Sequence, residues 1–193
     1  MSPVSFGPSD VKNPHNLQWA HVPESFWMTK ALVFDFEWVI GDSKIPTYNQ
    51  KDYPEETPLA ALKHCYRTLR TYEIRLGLTS NHHQKQIVPE LARLNLTEDF
   101  DNIRCFEDVK KLKPDPELIL FTLETLGVKP VRAVAFETTL EGVRAAQAAG
   151  VFCVGLPHLK NQADMILNSF IEEPILQVLE LIDRKKRDKF QMP

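Results

Sequence analysis

The stretch Ala31-Leu-Val-Phe-Asp35-Phe-Glu37-Trp38-Val-Ile-Gly-Asp42-Ser43 decides the fold. Its first four residues form a short continuous apolar run, the pattern of a strand covered on both faces. The run delivers Asp35 to the strand's C-terminal tip, with a second acid at Glu37 and a loop closed by Asp42-Ser43. Open α/β sheets place their ligands outside the carboxyl ends of the strands, so a carboxylate at this tip marks a candidate site.

Working outward from that strand, extended and helical patterns alternate. A helix is expected from the N-cap and first-turn proline at Thr57-Pro58 to about Tyr72. A strand over 74–79, a helix over 84–94 and a weak strand over 102–105 follow. Next come a helix over 116–126 ended by Gly127, a strand over 131–136 and a helix over 140–149 ended by Gly150. Strands over 151–155 and 165–167 and a last helix over 174–182 complete the series. This order predicts an α/β fold, a doubly wound parallel sheet with helices on both faces. The core domain spans 30–183, after an N-terminal extension over 1–29 and before a basic tail over 184–193. Trp19, Phe26 and Trp27 argue that the extension is a packed strap, since disordered segments are poor in aromatics. The tail, with Arg184, Lys185, Lys186, Arg187 and Lys189, reads as a solvated terminus.

Bulk properties narrow the class. A chain of 193 residues fits one domain with a sizeable core. Hydrophobic content of 43% and charged content of 25% are those of a globular protein. A net charge of -3 implies no general affinity for nucleic acid. Cys65, Cys105 and Cys153 lack CxxC spacing, which argues against a disulfide framework or a zinc site and fits a reducing compartment. No apolar run approaches the roughly 20 residues that span a bilayer, and the first residues lack a secretory pattern. A cytoplasmic location without a membrane partner is the expectation.

Three further segments carry polar residues at strand tips or helix starts. Leu78-Thr-Ser80-Asn81 ends the second strand; alone it is an ordinary helix N-cap. His82 and His83 follow it and read as exposed first-turn residues. Phe106 to Glu117 contains Lys113-Pro-Asp-Pro, the least accidental of the segments, with prolines that stiffen the start of the next helix. Ala135-Phe-Glu137-Thr138 runs into Gly142 and the small residues Ala145, Ala146, Ala148 and Ala149, which suit close packing on the sheet.

With the opening stretch, these segments resemble, in order, the four motifs of the haloacid dehalogenase (HAD)-like superfamily, in its phosphatase branch. The resemblance implies an aspartyl-phosphate mechanism. Asp35 would be the nucleophile, Glu37 the acid and base, and Lys113 the cation that neutralises developing charge. Ser80, Asn81 and Trp38 would be the substrate-binding residues, with Trp38 either stacking on a substrate ring or filling space. Mg²⁺ would be held by Asp35, the Glu37 carbonyl, Glu137 and Thr138.

Three positions depart from that pattern. Glu37 stands where Asp is usual, Trp38 where Gly is usual, and Thr138 where a metal-ligating Asp is usual. Glutamate moves the carboxyl outward by about a bond length, and a displacement near 1 Å can cost about a hundredfold. Threonine brings no charge to Mg²⁺, which prefers hard anionic oxygens, so a weakened metal site is expected. The interval over 44–57 is also too short for a helical cap. That leaves an open site suited to a bulky or macromolecular phosphorylated substrate, or one covered by the N-terminal strap or by a second copy in a homo-oligomer. Two other readings remain: an impaired relative kept for binding or assembly, and a metal-independent hydrolase acting on carbon.

Overall fold

The computed structural model describes residues 28–40 and 66–167. The extension over 1–27, the Asp42-Ser43 loop, the interval over 44–57, the Thr57-Pro58 cap, Cys65, the last helix and the basic tail lie outside the described residues. The elements are β1 (Ala31–Asp35), α1 (Phe36–Ile40), helical residues 66–71 (α2), β2 (Arg75–Thr79), α3 (Gln84–Arg93) and β3 (Asn102–Arg104). They continue with α4 (Glu117–Leu126), β4 (Ala133–Glu137), α5 (Leu140–Ala148), β5 (Phe152–Gly155) and β6 (Met165–Ile166). Among the described residues all the strands are parallel, in the order β3-β2-β1-β4-β5-β6.

The doubly wound expectation therefore holds. β1 is buried along its whole length, and its alternate residues divide between two cores, as a period of two requires. Leu32 and Phe34 join Leu76, Leu78, Val134, Phe136 and Val154 on one face. Ala31 and Val33 join Ile119, Leu123, Ala133, Ala135 and Val143 on the other. The second face is built of smaller residues, and α4 packs close against it. A Cβ on Gly77 of β2 would meet Thr122 Cγ2 of α4 at 2.5 Å. Gly127 ends α4 in the left-handed region at φ 68°, as its place after the apolar pattern suggests. β4 begins two residues later than its apolar run predicts because Pro130–Arg132 form a 3₁₀ turn.

Strand order places the site. The chain winds from β1 to β2 and β3 in one direction, then crosses back to β4 and continues the other way. The sheet thus reverses winding between β1 and β4, and the crevice beyond their carboxyl ends is where such sheets accept ligands. β1 ends in Asp35 and β4 ends in Glu137.

Candidate active site

Asp35 and Glu137 meet Lys113, which arrives on the loop before α4. Lys113 Nζ donates to Asp35 Oδ1 at 2.9 Å and to Glu137 Oε1 and Oε2 at 2.9 and 2.8 Å. All three side chains are buried. Ions removed from water are tolerated when paired and hydrogen-bonded in this way. The lysine's main chain is also held: its N–H donates to Asn81 Oδ1 at 3.0 Å and its carbonyl accepts from Asn81 Nδ2 at 3.1 Å. The preceding loop is tied down where the Lys110 and Lys111 N–H groups donate to Glu117, both at 3.0 Å. Gly142 makes room for the acid on the other side, since a Cβ there would overlap the Glu137 carboxyl.

Thr138 closes the remaining oxygen of Asp35: its hydroxyl donates to Oδ2 at 2.5 Å. Burial alone would raise the Asp35 carboxyl, but the Lys113 charge and the hydrogen bonds from Thr138, Lys113 and Glu37 together hold it below the usual aspartate range. Asp35 is therefore ionised and acceptor-only. Glu137 goes the other way. Burial pushes it up to about 8, against the pull of the Lys113 ammonium and with the help of the Asp35 charge. Burial opposes the charge on Lys113, yet Asp35 and Glu137 together lift it above its ordinary value. Glu37 is pushed up by partial burial first, then by the Asp35 charge and a hydrogen bond shared with Asp35. The two acids two residues apart have thus been driven in opposite directions, the usual mark of one carboxylate and one proton donor.

Glu37 sits at the solvent rim, and His82 Nε2 lies 2.6 Å from its Oε1. Ser80, just past β2, is fully buried, and its Oγ accepts the His82 N–H at 3.1 Å. His83 caps α3, with Nδ1 2.9 Å from Glu107 Oε1.

Of the predicted residues, the structure brings Asp35, Glu37, Ser80, Lys113, Glu137 and Thr138 together, and it corrects several roles. Trp38 is not a substrate platform. It is 0% exposed and packs edge-on against Phe136 with ring centroids 5.2 Å apart, because α1 turns it under the strand tip into the core. The Asn81 side chain is not free for substrate, since both ends of its amide serve Lys113. Both Glu137 oxygens accept from Lys113 Nζ and none of its surface is accessible, so in this arrangement its carboxyl serves the lysine. His82 is exposed as expected, lies just before α3, and also meets Glu37. Its position three residues past a strand tip beside β1 was the available signal, since the register pairs Asp35 with Thr79.

Among the described residues no group of three His, Cys, Asp or Glu side chains gathers around a common metal position. The donors left for a magnesium ion are Asp35, the Glu37 carbonyl and the Thr138 hydroxyl oxygen. A single carboxylate with neutral oxygens, waters and substrate phosphate lies within what magnesium accepts, at the low-charge end. Cys105 and Cys153 are free, buried thiols with raised pKa, burial being the chief cause, and neither is a reactive nucleophile.

The family model for haloacid dehalogenase-like hydrolases matches residues 32–156, more than half of the chain. The chain belongs to this family. The match runs from β1 through β5 and so includes every residue of the cluster. The chain is 35% identical over 102 residues to the phosphorylated carbohydrates phosphatase of Thermotoga maritima, covering 52% of this chain and 47% of that protein. It is 28% identical over 126 residues to the validoxylamine A 7'-phosphate phosphatase of Streptomyces hygroscopicus subsp. limoneus, covering 63% and 59%. The chain thus spans about half the length of the curated relatives it matches. Among solved structures, β-phosphoglucomutase from Clostridium difficile superposes with a TM-score of 0.61 at 18% identity, over 81% of this chain and 98% of that one. At that identity the likeness is one of fold.

Proposed function

We propose that this HAD-like hydrolase is a phosphatase that cleaves an organic phosphate monoester through a covalent phosphoryl group on Asp35. The observation that carries the reading is the Asp35 carboxylate at the sheet's switch point, held ionised with Lys113 Nζ 2.9 Å away.

In the first step an Asp35 carboxylate oxygen attacks phosphorus, the bond from phosphorus to the ester oxygen breaks, and Glu37 gives its proton to the departing oxygen. In the second, Glu37, now a carboxylate, takes a proton from water. The water oxygen attacks the aspartyl-phosphate, inorganic phosphate leaves, and Asp35 is restored. The raised pKa of Glu37 suits it to both tasks. The Lys113 ammonium offsets charge on the transferring group. The Ser80 hydroxyl, whose oxygen already accepts from His82, retains its proton for a phosphoryl oxygen. Magnesium held by Asp35, the Glu37 carbonyl and the Thr138 oxygen would supply further neutralisation of phosphoryl charge when bound. The names of the relatives make sugar phosphates the first class to try, with phosphopeptides as the bulky alternative that a short cap would admit.

Turnover of p-nitrophenyl phosphate, with and without magnesium, tests the reading. Wild type is expected to be active and Asp35→Asn inactive; an inactive wild type, or equal rates from the two, overturns it. One observation favours a binding protein without turnover: the Thr138 hydroxyl already occupies Asp35 Oδ2 at 2.5 Å. Capture of beryllium trifluoride on Asp35 in the presence of magnesium would argue strongly against that reading.

A further inference from the structure

We propose that His82 is a positioning residue for Glu37, a role that rests on the reading of Glu37 as the acid of the phosphatase reaction. Glu37 has one more rotatable side-chain bond than aspartate, and its side chain is 37% exposed. A proton donor so placed is partly open to solvent at the rim of the site. Misplacement by about 1 Å can cost about a hundredfold in rate, so the carboxyl needs an anchor.

His82 supplies one. Its Nε2 reaches Glu37 Oε1 at 2.6 Å across 45 residues of sequence. The main chain behind the ring is held on both sides. Its N–H donates to Ser80 Oγ at 3.1 Å, and its carbonyl accepts the Phe106 N–H at 3.1 Å. The Ser80 N–H in turn donates to the Arg104 carbonyl at 3.0 Å, tying this turn to the end of β3. The ring itself is half-exposed and meets Glu37 on its solvent side. Glu37 also shares a hydrogen bond with Asp35. Its carboxyl is therefore held between the nucleophile and the histidine, and the extra methylene is taken up by a partner that an aspartate would be too short to reach from the same backbone. The His82 ring meets Glu37, and no hydrogen bond joins it to Asp35 among the described residues, so His82 acts through Glu37.

The test compares kcat/KM, which reports the step up to phosphoryl transfer, for two esters. An alkyl phosphate needs a proton on its leaving oxygen; p-nitrophenyl phosphate does not. For His82→Ala the alkyl ester is expected to lose roughly 10- to 100-fold, the scale of a misplaced proton donor. The aryl ester should change by less than about threefold, since its departure does not call on Glu37. His82→Gln, whose amide can still meet the carboxyl, is expected to recover most of the loss. Equal losses on both esters, or no loss on either, overturn the proposal. A wild type that turns over neither ester overturns the phosphatase reading instead. In that event crystal structures of wild type and His82→Ala decide the positioning: an ordered, unmoved Glu37 carboxyl in the variant overturns it, and a displaced one supports it.

Discussion

The inner and outer halves of the strand-tip cluster are built on different physics. The inner half, Asp35, Lys113 and Glu137, is buried, ionic and fixed by the ends of β1 and β4. The outer half, Glu37 and His82, faces solvent and is fixed by the side-chain contact between two turns and by the hydrogen bond that Glu37 shares with Asp35. Inside, geometry comes from the sheet and charges have nowhere else to go. Outside, placement depends on hydrogen bonds to a flexible glutamate. Stability and chemistry should therefore separate between the halves.

Lys113→Met is the strongest way to sharpen that contrast. It leaves two carboxyl groups buried without their cation, which typically costs about 3–5 kcal/mol. A large fall in the urea midpoint with unchanged slope is expected, along with loss of turnover. A midpoint near wild type would show that the inner half is not held by its ion pairs. Glu37→Gln should do the reverse. Turnover of alkyl esters is expected to fall by roughly 10² to 10⁴, while stability stays within about 0.5 kcal/mol, as at other surface sites.

The pH profile of kcat/KM carries the same division. Asp35 must be ionised and its pKa is lowered, so the acid limb should lie below the ordinary aspartate range. Glu37 must be protonated and its pKa is raised, so activity should fall with rising pH only above the ordinary glutamate range. Glu37→Gln should remove the alkaline limb and leave the acid one.

Gly142→Ala probes the inner half from behind. Its methyl would overlap Glu137, and overpacking of this kind costs about 1–3 kcal/mol, read in a thermal melt. Thr138→Asp is the mildest change. A second carboxylate beside Asp35 should tighten magnesium activation by at least about tenfold, since unit charges about 4 Å apart interact by roughly 4 kcal/mol at an effective dielectric near 20. An unchanged magnesium requirement would show that position 138 does not face the ion.

The inner half was legible in the sequence because it depends on spacing. Asp35, Ser80 and Glu137 each end or follow an apolar run that could only be a strand, and parallel strands with a common register bring their tips together. Lys113 was marked by its prolines. Of the outer half, Glu37 was legible from its place two residues past Asp35, but what surrounds it was not, because the direction of a turn decides it. Trp38 read equally as a ligand platform or as a filler of space, and a five-residue helix rotates it into the core. Asn81 looked like a substrate contact, yet its amide matches the exposed peptide groups of Lys113 on another loop. The meeting of His82 with Glu37 needed the β1–β2 register and the path of both loops, and a lone pair of histidines after a strand signals neither.

Trapping the phosphoryl group on Asp35 tests the central claim most directly. Protein quenched in acid during turnover of a labelled phosphate ester should carry the label on the peptide containing Asp35, and borohydride should convert that residue to homoserine. Undiminished turnover with no phosphoryl group on Asp35 would contradict the account.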